Sequence, residues 1–114
     1  MVSKWDITYC ALDSAQGSEQ KGKRPVLIVS NDAVNHALTV STVLPFSSVG
    51  PDDKVYPTEV LLTTDVTNLP KDSVVMIQQI RTIAHARLDS RTSFLADLDS
   101  RERVLNAIRL YFET

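Results

Sequence analysis

Residues 17–32 read Gly-Ser-Glu-Gln-Lys-Gly-Lys-Arg-Pro-Val-Leu-Ile-Val-Ser-Asn-Asp, and no other stretch of the chain is as informative. A polar, basic segment leads into Arg24-Pro25, and the apolar run 26–30 follows at once. That run is too short for a helix and rich in branched residues, which predicts a buried central strand. Proline is tolerated at the first residue of a strand. Arg24 is therefore predicted at the rim between a loop and a rigid sheet, a good position for gripping phosphate.

The composition of the chain predicts a single domain over residues 1–114. Its 114 residues are 43% hydrophobic, enough for one modest core. No apolar run approaches the roughly 20 residues of a membrane helix, and the first residues lack the apolar stretch of a secretory signal. The lone cysteine, Cys10, cannot form an intrachain disulfide. We therefore expect a cytoplasmic protein without membrane association.

The charge distribution limits the kind of nucleic-acid partner. A net charge of −2 argues against a non-specific nucleic-acid coat, which is normally strongly basic. Lys21, Lys23 and Arg24 nevertheless cluster within four positions, and a few nucleotides need only such a local positive site. The alternative interpretation of these lysines is a solvated loop.

Hydrophobic periodicity predicts short strands followed by a terminal helix. Strands are predicted at 5–12, 26–30, 39–46, 55–62 and 74–83, loops at 13–23, 47–53 and 68–72, and a short helix at 91–98. Period two puts Trp5, Ile7, Tyr9 and Ala11 on one face of the first strand, and Pro57 marks an edge or bulged strand. This order is typical of a mainly β chain with helices, folded as a compact, mostly antiparallel, partly closed barrel.

The last residues predict an amphipathic helix. Ser100 is the expected N-cap, with Glu102 in the first turn. A broad apolar stripe follows at helical spacing, formed by Val104, Leu105, Ile108, Tyr111 and Phe112. Tyr111 and Phe112 give more apolar surface than a small barrel needs, which indicates a protein interface.

Several motifs carry a resemblance to a known family. Gly-Ser-Glu-Gln, Arg-Pro and Asn-Asp within residues 17–32 recur in this order in the MazF/PemK family of bacterial toxin endoribonucleases, and segments 56–60, 69–73 and 79–82 extend the resemblance. It implies an SH3-like, partly open β-barrel with a C-terminal helix, of the CcdB/MazF type. It also implies the toxin of a type II toxin–antitoxin system, which cleaves single-stranded RNA selectively as a homodimer and is regulated by a cognate antitoxin.

The chemistry implied by this resemblance needs no metal and no cofactor. RNA supplies its own nucleophile, the 2′-OH, so the enzyme needs in-line geometry, proton transfer and donors for the charge that develops on phosphorus. Metal-ligand spacing is absent from the sequence, because His36 and His85 lie far apart and Cys10 is alone. We expect transesterification to a 2′,3′-cyclic phosphate and a 5′-OH.

Two residues are predicted to be catalytic. The guanidinium of Arg24 offers a planar fork of donors that fits phosphate, so Arg24 is assigned to charge stabilisation rather than base catalysis. Its alternative role is an ion pair with Glu19. Ser47 follows Pro45-Phe46, where the family typically has a threonine, and it keeps the hydroxyl that can donate to a phosphate oxygen. Ser48 is the alternative for this role.

The remaining candidates are predicted to bind RNA: Glu19, Gln20, Lys21, Lys23, Ser48, Gln79 and Arg81. Gln79 and Arg81 lie two apart, so an extended chain would put them on one face. Arg81 has a structural ion pair as its alternative role. Many relatives have an acid where this chain has Gln78, and an amide cannot serve as a base there. Glu19 is a possible substitute.

Two other classes of function compete with the ribonuclease. A gyrase poison of the CcdB type shares the fold and inhibits by binding. A non-catalytic barrel interaction protein is the third class, since Ser47 and Gln78 depart from the family pattern. The Gly-Ser-Glu-Gln and Arg-Pro motifs favour the nuclease.

Overall fold

The computed structural model describes residues 1–12 and 22–113. The strands in these residues are β1 (Asp6–Leu12), β2 (Gly22–Ile28), β3 (Val40–Ser48), β4 (Glu59–Leu62), β5 (Ser73–Met76), β6 (Arg81–Ala84) and β7 (Leu88–Phe94). The helices are α1 (Asp32–Asn35), α2 (Thr64–Thr67) and α3 (Leu98–Phe112), and short 3-10 turns lie at Ile77–Gln79 and His85–Arg87.

These strands form one antiparallel sheet that is not closed. Its order within the described residues is β4-β5-β3-β2-β1-β7, and β6 pairs with β3 off this path. The sheet curls around α3, which packs against β4 and the turn at Ile77–Gln79. The prediction of a mainly antiparallel, partly open barrel with a C-terminal helix is confirmed.

Strand β3 connects the two halves of the sheet. Its first part pairs with β2 and β6, and its last part pairs with β5, beginning at Phe46 opposite Val75. Ser47 and Ser48 continue this pairing, so the loop predicted at 47–53 is wrong at its first two residues. Backbone pairing with β5 continues β3 through Ser47 and Ser48, beyond the point where the apolar pattern of the sequence stops.

The core has two parts, one on each face of the sheet. The larger part includes Ile7, Leu27, Leu44 and Phe46, and α3 contributes its buried Val104. The smaller part is formed by Cys10, Leu12, Val26, Ile28, Val43 and Ile83. Residues alternate between the two parts along β2 and β3, as the period of a strand requires.

Strand β1 does not have the single apolar face predicted for it. Ile7 is buried, but Tyr9 is half-buried and Ala11 is exposed. Cys10 and Leu12, on the opposite face, are buried in the smaller part of the core. Both faces of β1 are covered over part of their length, so strict alternation is lost.

The strand predicted at 74–83 is interrupted by the 3-10 turn at Ile77–Gln79. β5 pairs with the end of β3, whereas β6 pairs with its beginning, so the chain must turn between them. Backbone hydrogen bonds hold the turn: the N–H of Ile77 donates to the carbonyl of Thr58 at 3.0 Å, and the N–H of Ile80 donates to that of Ile77 at 3.0 Å.

The short helix predicted at 91–98 is also wrong, because residues 88–94 form β7. This strand pairs with β1, with Ile7 opposite Ser93 and Cys10 opposite Leu88. The buried hydroxyl of Thr8 donates to the carbonyl of Asp89 at 2.7 Å. Pairing with an available strand edge therefore decides the conformation of a polar segment whose own pattern is weak.

Helix α3 begins earlier than predicted. Its N-cap is Asp97, whose carboxylate accepts hydrogen bonds from the hydroxyl of Ser100 at 2.6 Å and from its backbone N–H at 2.9 Å. These two bonds hold the pKa of Asp97 below its ordinary value of 3.8. Tyr111 and Phe112 are exposed at the other end of the helix, in edge-to-face contact.

The predicted edge strand is present but short. β4 lies at one end of the sheet order, and Pro57 precedes it rather than interrupting it. The short helix α1 follows its N-cap Asn31, and the connection predicted at 68–72 begins at Asn68, which adopts a left-handed conformation. Among the described helices, none has the length and apolar character needed to cross a membrane.

Candidate functional site around Arg24

Arg24 lies in β2, where strand pairing fixes its backbone. It is opposite Cys10 of β1, and its neighbour Pro25 is opposite Tyr9. β2 pairs with β1 over Gly22–Leu27 and with β3 over Val26–Ile28, so the pairing that holds Arg24 is with β1. Arg24 itself is half-buried. The loop predicted at 13–23 is corrected at its end, because Gly22 and Lys23 already belong to β2.

A pocket of about 220 Å³ opens beside Arg24. Its apolar wall includes Phe46 and Leu69, both members of the larger part of the core. Half-buried Tyr9 and exposed Lys71 also line the pocket. We call it the Arg24 pocket. Its lining is mainly apolar and aromatic, with Arg24 and Lys71 as its two basic residues.

The backbone that carries Lys71 is held in place by its neighbours. Asn68 closes α2 in a left-handed conformation, with φ of 61°. The carboxylate of Asp72 accepts a hydrogen bond from the N–H of Thr64 at 3.0 Å, and its carbonyl accepts one from the N–H of Val49 at 3.0 Å. The turn that carries Lys71 is therefore held by hydrogen bonds to the first residue of α2 and to the residue that follows β3.

The two serines predicted near Arg24 occupy different positions. Ser48 lines the Arg24 pocket, and Ser47 is half-buried in β3. Val26 lies opposite Pro45 across β2 and β3. Arg24 and Ser47 each lie two residues beyond this pair, so the period of a strand puts them on the face that Val26 and Pro45 share. Ser47 therefore shares the face of Arg24, whereas Ser48 lies on the opposite face, that of Phe46.

The predicted RNA-binding residues are only partly brought together. Glu19, Gln20 and Lys21 lie outside the described residues. Lys23 lies in β2, and its ammonium forms an ion pair with the carboxylate of Asp89 at 2.9 Å. Lys23 is therefore tied to β7 and does not line the Arg24 pocket.

Gln79 and Arg81 do not share one extended face as predicted. Gln79 is the last residue of the 3-10 turn, and Arg81 is the first residue of β6, opposite Val43. The turn breaks the period of two on which that prediction depended. Both side chains are half-buried, and neither lines the Arg24 pocket.

Gln78 belongs to an exposed polar network at the start of β4. Its amide nitrogen donates to the carboxylate of Glu59 at 2.8 Å, and its amide oxygen accepts from the hydroxyl of Thr58 at 3.0 Å. The same carboxylate accepts from the N–H of Tyr56 at 3.1 Å. Hydrogen bonds from Thr58 and to Glu59 thus connect segment 56–60 to Gln78, and Glu59 supplies a carboxylate next to the amide of Gln78.

The histidines are engaged in local hydrogen bonds. The Nε2 atom of His85 lies 2.8 Å from the hydroxyl of Ser41, and that of His36 lies 3.3 Å from the hydroxyl of Ser3. In residues 1–12 and 22–113, no three side chains of His, Cys, Asp or Glu are grouped in a way that could hold a metal ion.

Two residues of the Arg24 pocket were not assigned a role from the sequence. Tyr9 was placed on a core face, and Lys71 appeared only within the motif 69–73. The family motif 69–73 contains Lys71, but only the pairing of β3 with β5 places Lys71 in the same pocket as Arg24. The aromatic side chains of Trp5 and Phe46 are both buried in the core.

Comparison with known proteins agrees with the geometry. Residues 3–112 match the family model of the PemK-like, MazF-like toxin of type II toxin–antitoxin systems. The chain is 38% identical to the endoribonuclease MazF of Staphylococcus saprophyticus over 109 residues, which cover 95% of this chain and 88% of the relative.

Solved structures show the same fold. Mycobacterium tuberculosis toxin MazF-mt6 superposes with a TM-score of 0.76 at 27% identity, covering 95% of this chain and 96% of that one. An endoribonuclease in complex with its cognate antitoxin, from a mycobacterial species, gives a TM-score of 0.79 at 18% identity, covering 99% and 96%. The motifs, the sheet and these matches agree: the chain belongs to the PemK-like, MazF-like toxins of type II toxin–antitoxin systems.

Proposed function

We propose that this toxin, as a single domain, is a sequence-selective endoribonuclease that cleaves single-stranded RNA without a metal ion. The observation that carries the proposal is the position of Arg24, which borders a pocket lined also by Phe46 and Lys71 and shares a face of the sheet with Ser47. Single-stranded RNA offers a phosphate and an unstacked base to such a surface. The activity named for the Staphylococcus saprophyticus relative supports the same reaction.

The reaction uses the nucleophile of the substrate. The 2′-oxygen attacks the adjacent phosphorus, the bond from phosphorus to the 5′-oxygen breaks, and a cyclic phosphate forms. One proton leaves the 2′-OH and one reaches the departing 5′-oxygen. Arg24 binds the non-bridging phosphate oxygens and stabilises the charge that develops on them. Ser47 donates a further hydrogen bond from its hydroxyl.

We further propose a homodimer that is neutralised by a cognate antitoxin in the cytoplasm. The exposed apolar residues Leu110, Tyr111 and Phe112 at the end of α3 support a protein interface. The mycobacterial structure that contains a cognate antitoxin supports the second partner. A disordered acidic antitoxin segment that covers the cations of the Arg24 pocket accounts for inhibition.

One experiment separates this function from a gyrase poison and from a non-catalytic barrel. Purified protein is incubated with a long, structureless RNA in EDTA, and in parallel with DNA gyrase and a plasmid. Discrete RNA cleavage without DNA breaks is the expected result. Gyrase-dependent DNA breaks with intact RNA would support the poison, and neither product would support the non-catalytic protein.

A further inference from the structure

We propose that a second cavity, separate from the Arg24 pocket, binds a small aliphatic amine. This cavity of about 550 Å³ is lined by residues of α1, β1 and β7, and we call it the Asp6 cavity. Ile28 lines it at the last residue of β2, which lies four residues and roughly 13 Å along the strand from Arg24. The proposal therefore concerns a binding function apart from the cleavage of RNA.

The floor of the Asp6 cavity is apolar. Ile28 is fully buried in the smaller part of the core, and Val2 and Leu88 pack against that part. Leu38, which is 54% exposed, also lines the cavity. Sites for small molecules are typically mostly apolar and have volumes of about 300–1,000 Å³. The cavity therefore suits a ligand with a short hydrocarbon chain.

One wall of the cavity carries a buried carboxylate with an available oxygen. The side chain of Asp6 is only 9% exposed. Its Oδ2 atom accepts a hydrogen bond from the N–H of Ser3 at 2.9 Å. Its Oδ1 atom accepts no hydrogen bond from the part of the chain that the structure describes, since the guanidinium of Arg91 stays 3.7 Å away. Because an ionised carboxylate accepts hydrogen bonds at both oxygens, Oδ1 is an acceptor for a ligand.

Arg91 leaves room for a closer cation at Asp6. Its side chain is 58% exposed, and its guanidinium lies 5.2 Å from the centroid of the Phe94 ring. An ion pair with one partner largely in solvent contributes little, and such a side chain can turn away into solvent. A ligand ammonium that donates directly to Oδ1 forms the shorter, charge-assisted hydrogen bond.

His85 supplies a second acceptor on the same cavity. Its Nε2 atom lies 2.8 Å from the hydroxyl of Ser41, and that hydroxyl donates to Oδ1 of Asn35 at 2.7 Å. The amide nitrogen of Asn35 donates to Ser30 and Asp32. Because the single proton of the Ser41 hydroxyl is used for Asn35, this network assigns the proton of a neutral His85 to Nε2 and leaves Nδ1 as an acceptor.

These acceptors favour an amine over a metal ion or an anion. Among the residues that the structure describes, no three side chains of His, Cys, Asp or Glu are grouped to hold a metal ion. Asp89 also lines the cavity and keeps its ion pair with Lys23 at 2.9 Å, so Asp6 is the anchor for the ligand. An aliphatic amine combines an ammonium for Oδ1 of Asp6 with a chain for the apolar floor.

The test measures binding of 1,4-diaminobutane to the purified protein by isothermal titration calorimetry, with no RNA present. We expect one diamine to bind to each chain. 1,4-Butanediol has the same chain without a charge and should not bind detectably. Asp6→Asn keeps an oxygen for the N–H of Ser3 and should weaken binding at least about tenfold, because the charge of the acceptor is lost.

Two further variants make the test specific. Asp52→Asn removes the same charge from an exposed residue outside the cavity and should bind the diamine like the wild type. Leu38→Arg keeps Asp6 and adds a cation at an exposed residue of the cavity, so it should weaken binding about fivefold by repulsion. Circular dichroism melting shows which variants keep the fold, and Leu38→Arg decides the question if Asp6→Asn does not fold.

The outcomes decide the proposal without reference to the ribonuclease, because no RNA is present. Absence of diamine binding to the wild type would show that the proposal is wrong. Equal binding of 1,4-butanediol, or unchanged affinity in a folded Asp6→Asn or Leu38→Arg variant, would contradict an ammonium site at Asp6. Equal losses in Asp6→Asn and Asp52→Asn would indicate general attraction to an acidic protein and would also overturn it.

Discussion

Val26 of β2 lies directly opposite Pro45 of β3. The pairing of β2 with β3 runs from Ile28 opposite Val43 to this pair, and Arg24 and Ser47 each lie two residues beyond it. Side chains two residues apart on a strand share a face. Arg24 and Ser47 therefore point from neighbouring strands to one face. The proposed mechanism uses this relationship, because it requires Arg24 and Ser47 to contact one phosphate.

Replacement of Arg24 tests the electrostatic part of this arrangement. Arg24→Ala should keep the fold and lower the cleavage rate by about 100-fold or more, because a charge-stabilising donor is lost. Arg24→Lys should recover little activity, since a point charge does not reproduce the bidentate fork. Initial rates on a defined RNA measure both effects.

Arg109→Ala is the matched control for Arg24. Arg109 is an exposed arginine on α3 whose guanidinium lies 3.5 Å from the carboxylate of Glu102. The Arg109→Ala variant should cleave RNA at the wild-type rate. Full activity of a folded Arg24→Ala variant would rule out the mechanism proposed here.

The two serines of β3 should respond differently to substitution. Ser47→Ala should lower kcat by about 10- to 100-fold, as expected for loss of one hydrogen-bond donor to the transition state. Ser47→Thr keeps the hydroxyl and should remain active. Ser48→Ala removes a residue of the pocket wall and should mainly raise KM. If only Ser48→Ala lowers kcat, the hydroxyl donor is Ser48.

The sequence predicted those strands and helices in which the local hydrophobic pattern agrees with the pairing or packing in the folded protein. The run 26–30 predicted the second half of β2, because apolar branched residues follow Pro25, but the strand begins at Gly22 and ends at Ile28. Residues 88–94 are polar and exposed over most of their length, so nothing in their own pattern indicated β7. That strand exists because β1 offers an edge for pairing, which is a property of the assembled sheet.

The same reasoning applies to the candidate site. Arg24 was predicted from its position before Pro25 and from the family motif. Lys71 was not, because its approach to Arg24 depends on Ser48 lying opposite Ser73 in the pairing of β3 with β5. Hydrophobic periodicity does not predict the register between strands that are far apart in the chain. Pocket residues that come from a segment distant from Arg24 in sequence are therefore the ones most easily missed.

The larger part of the core should be sensitive to truncation. Leu44→Ala removes a fully buried side chain at the centre of β3 and should lower the free energy of unfolding by about 2–5 kcal/mol. Leu98→Ala is the control, since Leu98 is 74% exposed at the start of α3 and should change stability little. Urea unfolding followed by circular dichroism compares them. Equal losses in the two variants would contradict the described core.

The N-cap of α3 should make stability depend on pH. The folded-state pKa of Asp97 is held below 3.8 by its hydrogen bonds from Ser100, so its charged form is stabilised in the folded protein. The contribution is therefore present above that ordinary value and is lost as the pH falls through the lower folded-state pKa. Wild type should melt at a higher temperature than Asp97→Ala at neutral pH, and the difference should shrink in acid. A difference that is constant with pH would contradict an ionised cap.

The end of α3 tests the proposed homodimer. Phe112 is 52% exposed and Tyr111 lies against it, so Phe112→Asp places a charge on the apolar patch. Sedimentation velocity should show a dimer for the wild type and a monomer for Phe112→Asp. Leu98→Asp, at the opposite end of the same helix, should remain dimeric. A monomeric wild type would contradict the interface.

The most direct measurement is cleavage of a long, structureless RNA in EDTA by the wild type and by Arg24→Ala, with the cut sites and end groups mapped. The account predicts discrete cuts by the wild type, ending in 2′,3′-cyclic phosphate and 5′-OH, and almost none by Arg24→Ala. Intact RNA with the wild type, or equal cleavage by the folded variant, would contradict it.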